Sequence, residues 1–182
     1  MNSKIAEKRK KTKSLALCAI MAALTVLILL LGSVLDVLDL SSGAVASLLI
    51  VLAVMELGCG KACLIWIVAS VLSLLLLPNK SPAVFYAMFA GCYPILKSFF
   101  EKTKPVLAWT VKMVVFNIAL VLLIVVAKYV LMMPEDDVGF TLPIIILGNV
   151  TFVLYDIAVT KLVTLYQLKL RKTLKIERIF KM

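Results

Sequence analysis

Apolar residues fall in long blocks separated by short charged or proline-bearing breaks, and the blocks are too continuous for a half-buried amphipathic helix. The first, Ser14 to Leu35, crosses a hydrocarbon core of about 30 Å at about 1.5 Å per residue. An acidic loop, Asp36 to Gly43, is expected next. Residues 44–77 are then almost wholly apolar, interrupted only by Glu56-Leu-Gly58-Cys-Gly60-Lys61. As one helix this block would be about 50 Å long, so the pattern predicts two short helices turning at Gly58 and Gly60. Pro78-Asn79-Lys80-Ser81-Pro82 breaks the chain again, with Ser81 as the expected N-cap and Pro82 at the first helical position. A fourth helix runs to about Lys97, and a charged loop from Lys97 to Lys104 ends at Pro105. A fifth leads to Pro134-Glu135-Asp136-Asp137, and a sixth runs from about Phe140 to Leu165. The prediction is an all-α polytopic membrane protein, one six-helix domain over residues 1–182, with a basic tail at 1–13 and another at 166–182.

Charge placement tests that count. Lys4, Lys8, Arg9, Lys10, Lys11 and Lys13 precede the first block; Lys169, Arg171, Lys172, Lys175, Arg178 and Lys181 follow the last. Lys61 and the Lys97–Lys104 loop fall on the same side, while Asp36, Asp39, Glu135, Asp136 and Asp137 fall opposite, with Lys80 the clear cation there. Cytoplasmic loops carry the excess of Lys and Arg, so both termini are expected in the cytoplasm, which requires an even number of spans. Five spans would put one basic tail outside. Six satisfy the rule.

Composition agrees with lipid as the main solvent. Of 182 residues, 63% are apolar and 16% charged, with mean hydropathy +1.10. The apolar first block is too long for a cleaved signal peptide and no small-x-small site follows it, so it is read as a retained helix. The net charge of +10 reads as topology plus attraction to anionic lipid, not as nucleic-acid binding. No histidine is present, which removes the commonest metal ligand and the usual neutral-pH base. A Gly-x-Ser-Gly-type nucleophile and the paired-Asp motif of phosphotransferases are also missing, so no catalytic residue, metal site or cofactor is expected. Cys18, Cys59, Cys63 and Cys92 read as reduced small hydrophobes.

Polar residues inside the spans carry the functional signal, because ionisable groups at depth are costly and face protein or a water-filled cavity. Asn149, Asp156 and Thr160 share one face of the sixth helix. Lys112 and Asn117 lie on the fifth. Counted from the basic side, Lys112 is about 9 Å deep, Asp156 about 13 Å and Asn117 about 16 Å. Adjacent antiparallel helices can therefore pair Lys112 with Asp156 and place Asn117 above them. That arrangement serves either as a register-fixing ion pair or in substrate binding and coupling. Toward the acidic side, Asn79, Lys80, Tyr86, Lys128, Tyr129 and Asn149 form a candidate set for a small polar ligand, although tyrosines and lysines at helix ends are also ordinary interfacial anchors. In the first helix, Ala19 and Ala23 form a small-xxx-small pair with Cys18 and Ala22 beside it, suited to close helix contact inside the chain or with a partner. Met88, Phe89, Phe99, Phe100 and Met113 read as packing.

A basic N-terminus running into Leu15-Ala-Leu-Cys-Ala19-Ile-Met-Ala-Ala23-Leu, with six spans in under 200 residues and both ends inside, resembles the substrate-binding S component of energy-coupling factor (ECF) transporters. The resemblance covers nearly the whole chain in architecture, with its sequence motif confined to Ala19-x-x-x-Ala23. It implies that the alanine face docks on a transmembrane coupling subunit powered by two cytosolic ATPases. It also implies an outer pocket on helices four to six, covered by the first loop, that captures a vitamin-like micronutrient, and a subunit that topples to release it inward. A scaffolding protein, similar in size and topology to the small multi-spanning rod-shape-determining membrane protein, is the alternative. It needs exposed protein-contact faces but no outer polar pocket.

Overall fold

The computed structural model describes residues 2–35, 38–100, 105–129 and 141–170, and every span predicted above is helical there. The helices are α1 (Asn2–Leu35), α2 (Asp39–Leu57), α3 (Cys59–Leu76), α4 (Ser81–Phe100), α5 (Pro105–Tyr129) and α6 (Thr141–Leu165), the last continued by a π turn at Tyr166–Leu170. All six contain stretches long and apolar enough to cross a membrane. Asp36, Glu101, Lys102, Lys104, Glu135, Asp136, Asp137 and the tail cations from Arg171 onward lie outside the described residues.

Three boundaries differ from expectation. α1 begins at Asn2, because the basic tail contains no residue that stops a helix growing backward from the apolar block. The acidic loop ends early: α2 starts at Asp39, whose negative charge suits a helix N-terminus. Gly43 is already in that helix, pressed so closely on Phe85 that a Cβ would stand 2.5 Å from its ring. Finally, α4 is capped one residue earlier than expected. Lys80 is the N-cap and Ser81 the first helical residue, with Asn79 Oδ1 accepting the Ser81 N–H at 3.0 Å.

The division of residues 44–77 falls where the glycines put it. Gly58, at φ +86°, ends α2 and allows α3 to start at the next residue. Successive spans then run in opposite directions. Ser33 near the end of α1 donates to the Asn79 carbonyl before α4 at 3.0 Å, and Cys59 at the start of α3 lies 3.2 Å from Ser98 at the end of α4.

Two cores hold the bundle. In the first, α1 contributes Cys18, Ala22, Val26 and Leu29, spaced by three and four so that they form one stripe. This stripe meets Ala46, Ile50 and Ala53 of α2 and Ala62, Ile65 and Ala69 of α3. The alanines bring the backbones close, and dispersion at close range is the main attraction between helices in lipid. Ile20, Leu27 and Leu31 lie on the other side of α1 and are exposed, as residues that face acyl chains are. The second core is aromatic and joins α4, α5 and α6. Phe89 and Tyr93 pack on Phe116 and Phe152, whose rings stack at 4.4 Å and 9°.

Candidate functional site

Directly beside the aromatic core lies a buried polar cluster centred on Asp156. Phe152 and Asp156 are one helical turn apart on α6, so the residue that stacks on Phe116 also positions the carboxylate. Lys112, one turn before Phe116 on α5, donates to Asp156 Oδ2 at 3.1 Å and Oδ1 at 3.3 Å. Its ammonium also lies 5.7 Å from the Trp109 ring centroid. The sequence-derived pair is therefore in contact.

Sequence reasoning missed two further donors. Tyr93 Oη donates to Asp156 Oδ1 at 2.5 Å. Lys97 forms an ion pair with the same oxygen, and its ammonium also reaches the Asp156 carbonyl at 3.1 Å and Thr160 Oγ1 at 2.6 Å. Lys97 was expected in a loop. Instead α4 continues to Phe100 and Lys97 is only 4% exposed. The available signal was the spacing Tyr93-Pro-Ile-Leu-Lys97, which puts phenol and ammonium on one face of an otherwise apolar helix. A lysine at a helix end is usually read as one that snorkels to water, and that masked it.

Asp156 thus accepts hydrogen bonds from side chains on two other helices, two of them from cations. A single carboxylate alone at such depth is strongly disfavoured, and this set of donors makes its ionised form tenable. Among the described residues no group of three or more Cys, Asp or Glu able to hold a metal occurs.

Asn117 and Asn149 form a second polar layer, on the other side of the Phe116–Phe152 stack. They exchange amide hydrogen bonds of 3.0 and 3.1 Å, and each also donates to the carbonyl four residues earlier on its own helix, Met113 and Ile145, at 2.8 Å. All four amide protons are used. Asn149, expected among the outer ligand-facing groups, is thus engaged with Asn117.

The other five members of the expected outer set are distributed as follows. Asn79 bridges Ser33 of α1 and Asp39 of α2, accepting from Ser33 through its carbonyl and donating to Asp39 Oδ2 at 3.3 Å. Lys80 donates to the Leu77 carbonyl at 2.5 Å. Tyr86 is wholly buried beside Gly91 and Trp66. Lys128 and Tyr129 are exposed at the far end of α5, the ammonium 6.0 Å from the ring centroid. An open groove of about 540 Å³ runs along α5 past Met113, Val114, Asn117, Ile118, Val121 and Leu122, and it is almost entirely apolar. On α1, Ala19 and Ala23 are exposed, while Cys18 and Ala22 are the pair used in internal packing.

Comparison with protein-family models, curated proteins and solved structures finds no match to this chain.

Proposed function

We propose that this protein is the membrane-embedded substrate-capture subunit of an importer of the ECF type, which its sequence resembles. In this reading both termini are cytoplasmic and the membrane is the cell membrane. The ligand is a small vitamin-like micronutrient, held toward the outer end near Asn79, Lys80, Lys128 and Tyr129. Ala19 and Ala23 dock on a transmembrane coupling subunit that two cytosolic ATPases drive.

The observation that carries the reading is the division of labour on α1. Its small residues lie on two faces: Cys18 and Ala22 pack inside the chain, whereas Ala19 and Ala23 stay exposed. Internal packing thus leaves Ala19 and Ala23 available for another helix, and a small-xxx-small pair favours close helix contact. The Asp156 cluster and the Asn117–Asn149 pair then serve as the rigid frame of the last three helices, and the ligand groups stand outside them.

Affinity purification from the native membrane, with mass spectrometry of retained proteins and small molecules, tests this. Capture of a coupling subunit and two ATPases is expected, and Ala19→Leu with Ala23→Leu should reduce that capture at least about tenfold, a loss near 1.4 kcal/mol. Monomer stability should be unchanged. A chain that retains no small molecule and no such assembly, and is indifferent to the alanine substitutions, is instead a scaffolding protein.

A further inference from the structure

α4 is interrupted at mid-length. Ser81–Phe85 is α-helical, Tyr86–Ala90 is a π turn, Gly91 and Cys92 form a further turn, and Tyr93–Phe100 is α-helical again. A backbone carbonyl inside a bilayer needs a donor from the protein or from a bound molecule, because acyl chains offer none. Through the break, displaced N–H groups and side chains supply several. The Gly91 N–H donates to the Tyr86 carbonyl at 2.8 Å. Trp66 of α3 donates its indole N–H to the Ala87 carbonyl at 3.1 Å. The Cys92 thiol donates to the Met88 carbonyl at 3.2 Å and to that of Phe89 at 3.4 Å.

Ala90 and Gly91 come next, and neither carbonyl receives a bond from the residue four places on. Pro94 has no N–H to give Ala90. The Ile95 N–H, which an uninterrupted helix would give to Gly91, goes to the Cys92 carbonyl at 3.1 Å, as does that of Leu96. Both Ala90 and Gly91 are buried. Beside them lies a donor in a similar position. Tyr86 is 0% exposed, and its hydroxyl has no partner among the described residues. Its Cζ, which carries that hydroxyl, lies 2.9 Å from the point where a Cβ would stand on Gly91, and the Trp66 ring closes over the same point at 2.3 Å. One phenol and two carbonyls without their helical donors therefore meet at the break.

We propose that the break in α4 binds one water molecule, which accepts from the Tyr86 hydroxyl and donates to the carbonyls of Ala90 and Gly91. One acceptance and two donations make the three bonds usual for a buried water. The water stands in for the N–H groups that Pro94 lacks and Ile95 gives elsewhere, and ordered water is one of the ways in which proline-broken helices meet their carbonyls in membranes. It also relieves the penalty of a buried, unpaired phenol. Tyr86 then serves the backbone of its own helix, under the cover of Trp66. The site stands independently of the importer reading.

Hydroxyl-radical footprinting of the full chain in detergent, by pulsed X-ray radiolysis and mass spectrometry, reads the water directly, because a radical formed from a bound water modifies the ring beside it. Tyr86 should be modified at least about fivefold faster than Phe152, a ring enclosed to the same degree. Tyr86→Phe gives a second readout, through its sign. Loss of a hydroxyl that bonds a water should lower the melting temperature by about 2–4 °C, whereas loss of an unpaired buried hydroxyl should raise it. The proposal is overturned if Tyr86 is modified no faster than Phe152, or if Tyr86→Phe melts at or above the temperature of the parent. The footprint is taken on the unaltered chain, so it decides the matter even where the variant fails to fold.

Discussion

Asn117 and Asn149 form a closed ring of two amide hydrogen bonds across α5 and α6, with each remaining amide proton held by its own helix. Substitution of one asparagine strands half of the ring. Asn117→Leu and Asn149→Leu should each cost about 1–2 kcal/mol, and the double substitution should cost less than their sum. Thermal unfolding in detergent, followed by a thiol-reactive dye on buried Cys18, measures this. Additive losses would exclude the ring as the unit of stabilisation.

Asp156 predicts a steeper effect. Asp156→Asn leaves Lys97 and Lys112 buried without their carboxylate and should destabilise by about 3–5 kcal/mol. Lys112→Gln alone should cost less, because Lys97 and Tyr93 still bind the carboxylate. Adding Lys97→Met and Lys112→Met to Asp156→Asn should recover a large part of the loss. The same unfolding assay reads all three, and a triple variant no better than Asp156→Asn would count against charge burial as the cause.

This cluster shows how far the sequence could be read. Lys112 and Asp156 were legible because each is a charge inside an apolar run, and depth along two antiparallel helices put them level. Spans were legible for the same reason: charge and proline interrupt hydrophobic blocks. Lys97 and Tyr93 were not, since a lysine near a helix end looks interfacial until the helix is seen to continue to Phe100. Within α4 the residues Tyr86–Ala90 form a π turn, and Tyr-Ala-Met-Phe-Ala itself has no composition that favours five-residue over four-residue hydrogen bonding. Pro94 follows it, however, and with no N–H to give the Ala90 carbonyl four residues back it interrupts the α pattern just after the turn. Likewise Asn149 and Tyr86 had the chemistry of ligand groups, and only packing reveals that one faces Asn117 and the other is enclosed.

Gly58 isolates a backbone effect. Its φ is +86° and a Cβ there would touch nothing within 4 Å, so Gly58→Ala has no steric neighbour to offend. The substitution should still cost about 1–3 kcal/mol, because φ +86° with ψ 162° is a backbone region essentially confined to glycine. Gly91→Ala should cost more than that, because the added methyl meets the Trp66 ring. A Gly58→Ala variant with unchanged melting temperature would mean that the α2–α3 turn has another accessible geometry.

Ser47 of α2 and Tyr155 of α6 are joined through their hydroxyls at 2.5 Å. Ser47 also donates to the Ala44 carbonyl at 2.6 Å, so Tyr155 is the donor of the pair and Tyr155→Phe leaves the serine proton satisfied. The substitution should cost about 0.5–1.5 kcal/mol, and Ser47→Ala in the same background should add little. Hydrogen–deuterium exchange along α6 offers a second readout, with faster exchange expected around position 155.

The Asp156 cluster also imposes an order on biosynthesis. The chain emerges from its N-terminus, so Lys97 and Lys112 are made 59 and 44 residues before Asp156. Until α6 arrives, two ammonium groups on newly made spans lack the carboxylate that makes their burial tenable. Until then α4 and α5 must keep those ammonium groups hydrated by snorkelling to the interface, and they reach their final packing only when the last helix joins them. The final span thus completes the burial of its predecessors, and a chain truncated before it would leave α4 and α5 exposed to membrane quality control.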